Sequence, residues 1–265
     1  MKKKIIIIGK KSLLGHFINK NLNKKLTILH LNLKQFNDLS IKIIKEYDYV
    51  CNCSITPKYQ KNKYKPSNDI DIQIADKIKR LKVKYIFLSS RKVYEPGRNI
   101  RENSKLKPID NYSKNKIITE KKIIKIMKKN YLILRISNIV GKPIKNSNKI
   151  SNNFIDNFIK YKKQKKIIKY NNYFKDFLSI NQFTTILFHI LKNKLTGIFN
   201  VSLGEKIYIS EIIDWLNNHS SSKFKPINKF IDNDSFYLNN DKLLKNTKIR
   251  IKKKDLMNYC LNFRY

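Results

Sequence analysis

Three cysteines in 265 residues are too few for a disulfide framework. Cys51, Cys53 and Cys260 also lack the paired spacing of a metal site, and a reducing compartment, the cytoplasm, is the expected setting. No apolar run approaches the ~18 residues of a membrane span. The run Ile5–Ile8 behind Met1 and three lysines is too short for the apolar core of a signal peptide, and reads instead as a buried strand. The four histidines, His16, His30, His189 and His219, do not pair at metal-ligand spacing, so no metal is expected. Acidic residues are scarce, 19 against 58 basic ones, which leaves a formal charge of +39. Only seven of the basic residues are arginine. The lysines run from end to end among many Asn and Ile. Their spread looks like a compositional bias and disfavours a dedicated nucleic-acid binder, which would use the planar Arg fork. Such a field still attracts polyanions and makes their binding salt-dependent.

Glycine is scarce too, six in all, and two of them stand at 9 and 15. The β-branched run 5–8 precedes them and an amphipathic stretch to 22 follows. Strand, glycine turn and helix in that order is the setting of a dinucleotide-binding loop. Gly9 permits the tight turn, Gly15 allows the helix to pack on the sheet, and the first helical amides face a pyrophosphate. Ser12 occupies the middle place, where its hydroxyl is available to a phosphate. A second strand is expected at 26–31. It is followed by Asn32 and Lys34 where a carboxylate would bind ribose hydroxyls, which leans toward a 2′-phosphate and NADPH.

Further strands are expected at 49–53, 85–88, 132–136 and 199–201, and helices at 41–45, 68–79, 181–191 and 209–218. Residues 58–65 read as a basic loop, 146–153 as a polar loop, 154–161 as a helix and 167–168 as a short strand. Trp215 reads as a core residue. The fourth strand delivers Ser89-Ser90-Arg91-Lys92-Val93-Tyr94 to the carboxyl edge of the sheet, where open α/β folds bind ligands. Then comes Tyr112-Ser113-Lys114-Asn115-Lys116. Tyr-x-x-x-Lys puts both side chains on one helical face. A lysine ammonium beside a phenol favours the phenolate, so the tyrosine can exchange a proton with a hydroxyl or keto group. The spacing occurs three times, at Tyr59/Lys63, Tyr112/Lys116 and Tyr161/Lys165, no more than chance gives with so many lysines. Only Tyr112 follows a strand ending in Ser-Ser and opens a long helix.

Taken together these segments, with Leu134-Arg135-Ile136-Ser137-Asn138, Lys175-Asp176-Phe177 and Gly197-Ile198-Phe199-Asn200, resemble the extended short-chain dehydrogenases/reductases, the nucleotide-sugar epimerase, dehydratase and reductase group. The resemblance implies an α/β fold, a Rossmann-like doubly wound parallel sheet with a small C-terminal substrate-binding lid. Residues 1–145 with 171–201 would bind NAD(P), NADPH slightly favoured, and 146–170 with 202–265 a nucleotide-sugar. It implies Ser90, Tyr112 and Lys116 as the catalytic set. Gly9, Ser12, Leu13, Leu14, Gly15, Asn32, Lys34, Asn52, Cys53, Ser89 and Lys116 would contact the cofactor, and Ser90, Arg91, Asn138 and Lys175 the substrate. It also implies a homodimer formed by two helices packing across an axis. Arg91-Lys92 stand where the dehydratases carry an acidic pair, which disfavours dehydration. The expected activity is reduction of a keto group on a nucleotide-activated sugar. The alternatives are a nucleotide-sugar 4-epimerase with bound NAD, and a non-catalytic nucleotide- or RNA-binding member of the fold.

Overall fold

The computed structural model describes residues 2–142, 168–217, 224–227 and 235–262. The helix expected at 154–161, the loop at 146–153, Tyr161/Lys165, residue 167, His219 and the last residue of the 209–218 helix lie outside them. Six strands form one parallel sheet: β1 (Lys4–Ile8), β2 (Thr27–Leu31), β3 (Tyr49–Asn52), β4 (Lys84–Ser90), β5 (Tyr131–Ile136) and β10 (Gly197–Val201), in the order β10-β5-β4-β3-β1-β2. All six are strands expected from the apolar runs.

The Ile5–Ile8 run shows why a parallel strand needs apolar residues at every position. Successive side chains point to opposite faces. Ile5 and Ile7 join the cluster containing Ile18 and Leu22 of α1 (Leu13–Leu22) and Phe183, Ile186 and Leu187 of α7 (Ile180–Lys192). Ile6 and Ile8 join the other, with Ile74 and Ile78 of α5 (Ile70–Ile78) and Ile123 and Met127 of α6 (Asn111–Met127). All four isoleucines are fully buried, worth about 1.5–3 kcal/mol each. Between β2 and β3 the chain forms two short helices, α2 (Leu33–Asn37) and α3 (Ile41–Ile44).

Residues 58–65, expected as loop, begin instead inside a short helix, α4 (Pro57–Lys61). Thr56 caps it by accepting from the Tyr59 amide, and Pro57 occupies the first turn. Tyr59 is buried, its hydroxyl 2.7 Å from that of Thr119 on α6, so a tertiary contact holds the helix.

The remaining strands pair locally: β6 (Asn138–Val140) with β9 (Phe177–Ser179), β7 (Ile168–Asn171) with β12 (Phe224–Ile227), and β8 (Phe174–Lys175) with β11 (Ile207–Tyr208). Ile212, Ile213 and Leu216 of α8 (Ile209–Asn217), Leu243 of α9 (Asp241–Thr247) and Leu256 of α10 (Lys253–Leu261) enter the same apolar cluster as Ile5 and Ile7. Trp215 packs against that cluster, partly buried. Among the described residues no helix is long and apolar enough to cross a membrane.

Candidate active site

β1 has β2 on one side and β3 on the other, so the chain reverses its winding there and leaves a crevice at the carboxyl edge. Gly9 lies in it with φ +119°, a conformation that side chains rarely adopt. A Cβ at position 9 would stand 2.8 Å from Ser54 Oγ, and one at Gly15 would stand 2.6 Å from Gly9 O. Ser12 caps α1: its hydroxyl donates to Gly9 O at 2.8 Å and accepts from the Gly15 amide at 3.0 Å. Its proton is therefore held within the turn, and the groups left to face an anion are the first amides of α1, at Leu13 and Leu14. His30 Nε2 is buried against this turn, beside the Gly9 backbone. Burial first, then the charge of Lys10, holds its imidazole below the usual value. A turn that excludes side chains and opens onto the first amides of α1 fits a phosphate-bearing ligand.

Asn32 and Lys34 are exposed at the start of α2. Asn32 Oδ1 accepts from the Gln35 amide as a cap. Asn52 is turned inward, donating to Asp71 Oδ1 at 3.0 Å and Ser54 O at 3.1 Å and accepting from the Ser54 amide. It shapes the loop opposite Gly9 from behind. Cys53 is half-buried there, its sulfur 3.9 Å from that of buried Cys51.

β4 runs on through Ser89 and Ser90. Ser89 is buried and its hydroxyl donates to Glu120 on α6. Ser90 faces the other way and is half-exposed. Its Oγ accepts from the Lys92 amide at 3.2 Å, which leaves the hydroxyl proton for a ligand. Tyr112 sits in the first turn of α6, half-buried, and Lys116 lies one turn on. The Lys116 ammonium is buried, donates to Leu88 O at 2.8 Å, and stands 5.7 Å from the Tyr112 ring centroid. Behind it Asp71, buried, accepts from Tyr85 Oη at 2.6 Å. Burial pushes the Asp71 carboxyl above the carboxylate range, with the nearby Lys116 charge the largest opposing influence. Lys116 thus ties the start of α6, which carries Tyr112, to the end of β4, which carries Ser90.

The expected substrate residues are more dispersed. Arg91 is buried, its guanidinium 3.8 Å above the Phe236 ring. Asn138 donates through its side chain to Asp176 O at 3.1 Å. The Lys175 ammonium lies 4.7 Å from the Tyr173 ring centroid. Sequence reasoning missed Asp71, Glu120, Asp176 and Phe236. Signals existed for two of them: Asp176 stands in the Lys175-Asp176-Phe177 segment, and Glu120 is the sole acidic residue of α6, four places after Lys116.

A parallel sheet of this order with a glycine turn at its crossover defines a Rossmann-type α/β protein. Residues 5–202 match the sequence model of the NAD dependent epimerase/dehydratase family, and the chain belongs to that family. No curated protein sequence matches it. Among solved structures it is similar to the UDP-N-acetylglucosamine 4-epimerase of Methanobrevibacter ruminantium, solved with UDP-N-acetylmuramic acid (TM-score 0.80, 17% identity, 98% of this chain and 97% of that one). It is also similar to the dTDP-4-dehydrorhamnose reductase of Bacillus anthracis with NADP (0.77, 16%, 97% of each chain). A third is the UDP-glucuronic acid 4-epimerase of Bacillus cereus with NAD (0.75, 16%, 97% and 96%). At these identities the likeness is one of fold.

Proposed function

We propose that this chain is an NAD(P)-dependent oxidoreductase that reduces a keto group on a nucleotide-activated sugar. The observation that carries the reading is the Lys116 ammonium on Leu88 O, 2.8 Å away, which ties the helix bearing Tyr112 to the strand ending in Ser90. When bound, the nicotinamide supplies the hydride. Gly9, Gly15 and the α1 amides take the pyrophosphate, with Leu13, Leu14, Cys53 and the Asn52-supported loop lining the crevice. Ser90 donates its free hydroxyl proton to the carbonyl oxygen and orients it. Tyr112 gives its phenolic proton to the alkoxide that forms, and the charge of Lys116 stabilises the phenolate left behind. Exposed Lys34, with Asn32 in place of a ribose-binding carboxylate, favours NADPH. Lys175 and Arg91 bring positive charge toward a diphosphate.

Two titrations and one turnover assay test this. NADPH and NADH are titrated at about 0.1 and 0.5 M salt, because a +39 chain holds phosphates nonspecifically at low salt. Saturable binding of one cofactor at the higher salt, with its oxidation by a UDP- or dTDP-linked 4-keto hexose, is the expected result. Tyr112→Phe should lower kcat by roughly 10²–10⁴-fold and leave cofactor affinity unchanged. An equally active Phe variant would end the mechanism. The same three side chains also serve a 4-epimerase, which would carry cofactor through purification and interconvert 4-epimers with no net oxidation of it. Absence of binding to either cofactor would bring forward the non-catalytic reading.

A further inference from the structure

Glu120 stands one turn beyond Lys116 on the buried face of α6 and is 3% exposed. Its carboxylate takes the fork of Arg135 on β5, Nε at 3.1 Å and the second nitrogen at 2.7 Å. The third guanidinium nitrogen donates to Tyr94 Oη at 2.8 Å and Glu102 O at 2.9 Å. Tyr94 Oη donates to Asn200 Oδ1 at 2.9 Å, and the Asn200 side-chain amide nitrogen donates to Ile100 O and Asn239 O. The network runs from α6 across β5 and β10 to the C-terminal segment. Its other end is the Ser89 hydroxyl, which donates to Glu120.

A buried ion pair of this kind is no more stabilising than well-packed apolar side chains in its place. What it adds is a fixed geometry. β4 meets α6 at consecutive residues: Leu88 O accepts from the Lys116 ammonium, and the Ser89 hydroxyl donates to the Glu120 carboxylate. Neighbouring strand residues point to opposite faces, so holding Ser89 toward α6 sets the direction of Ser90.

We infer that Ser89 and Glu120 are positioning residues that fix the Ser90 hydroxyl relative to Tyr112, and that Ser89 does not contact the cofactor. The inference rests on the proposed reductase reading for its turnover readout alone. Ser89→Ala removes one hydroxyl and leaves the Glu120–Arg135 pair in place. It should lower kcat about tenfold or more, since small misplacements of reacting groups are costly. KM and NADPH Kd should stay within about twofold, and Ser89→Thr, which restores the hydroxyl, should recover most of the rate. Wild-type kcat in Ser89→Ala overturns the inference. So does a loss that appears in the NADPH Kd, which would put Ser89 on the cofactor. If the wild-type protein binds NADPH but reduces no keto-sugar offered, the reductase reading fails and the positioning role is read by hydrogen exchange. In Ser89→Ala the amides of 88–94 and 110–116 should then lose protection together while those of α1 keep theirs. Unchanged protection overturns the inference as well.

Discussion

Gly9 and Gly97 separate two uses of glycine. At Gly9 the backbone is in the positive-φ region and an added methyl group would run into Ser54 Oγ at 2.8 Å and the Cys53 carbonyl carbon at 3.2 Å. At Gly97 the same methyl group would meet only Ile100, at 3.9 Å. Gly9→Ala should therefore weaken NADPH binding about tenfold or more, the turn having to give up a geometry that costs an L-residue roughly 1–2 kcal/mol. Gly97→Ala should bind as wild type does, a comparison made by titration beside a melting curve. The pairing of Gly9 with Gly15 was legible in the sequence, because only six glycines occur. The consequence of Ser12 was not. A serine in the middle of the turn reads as a phosphate donor until its two bonds, to Gly9 O and from the Gly15 amide, show that it holds the turn together.

At the scale of elements, α6 carries both Tyr112 and Lys116, and its first turn depends on Asp110. The carboxylate accepts from the Ser113 amide at 2.8 Å, Ser113 reaches back to the Asp110 amide, and Lys92 donates from the side at 3.0 Å. Burial alone would push the Asp110 carboxyl up. Ser113 and Lys92 outweigh it, and the group titrates below its ordinary value. A lowered value means that the stabilisation is present above the unfolded pKa and is lost as pH falls through the folded one. Asp110→Ala should cost about 1 kcal/mol in a urea melt at pH 7. It should reduce kcat further than that loss of stability implies, because the turn that frays is the one bearing Tyr112. Elements were the most readable level of this chain. Each of the six sheet strands announced itself as an apolar or β-branched run, and the four inner ones, β1, β3, β4 and β5, most plainly, since a strand buried on both faces has no polar register to hide in. The helix Pro57–Lys61 was not read, because five residues leave no periodicity and its anchor, Tyr59 against Thr119, joins residues 60 positions apart. The Ser89–Glu120–Arg135 set escaped for the same reason: each member is ordinary alone, and the pairing exists only once β4, α6 and β5 are adjacent.

For the whole molecule, the charge of +39 and the buried carboxyls of Asp176 and Asp71 pull the pH dependence of stability in opposite directions. Acidification removes carboxylate charge from an already cationic chain, and the growing self-repulsion destabilises it; salt screens that effect. Asp176 works against the trend. It is fully buried and accepts from the amides of Leu203, Gly204 and Leu238, joining the exit of β10 to the C-terminal segment. Burial outweighs these bonds and pushes its carboxyl up to about 7. Below roughly pH 3.9 the group is protonated in both states. As pH rises the unfolded chain ionises first while the folded chain keeps its proton, so stability falls until the folded group also titrates near pH 7, and then levels off. At about 0.5 M salt, where the surface term is suppressed, wild-type stability in urea should fall between pH 5 and 7.5 by roughly 2 kcal/mol. Asp176→Asn should flatten that slope, whatever its absolute stability, because the amide cannot titrate; what remains of it belongs to Asp71, whose carboxyl burial also pushes up. A slope over that interval at high salt that Asp176→Asn leaves unchanged would mean that the three backbone donors hold Asp176 ionised in the folded protein.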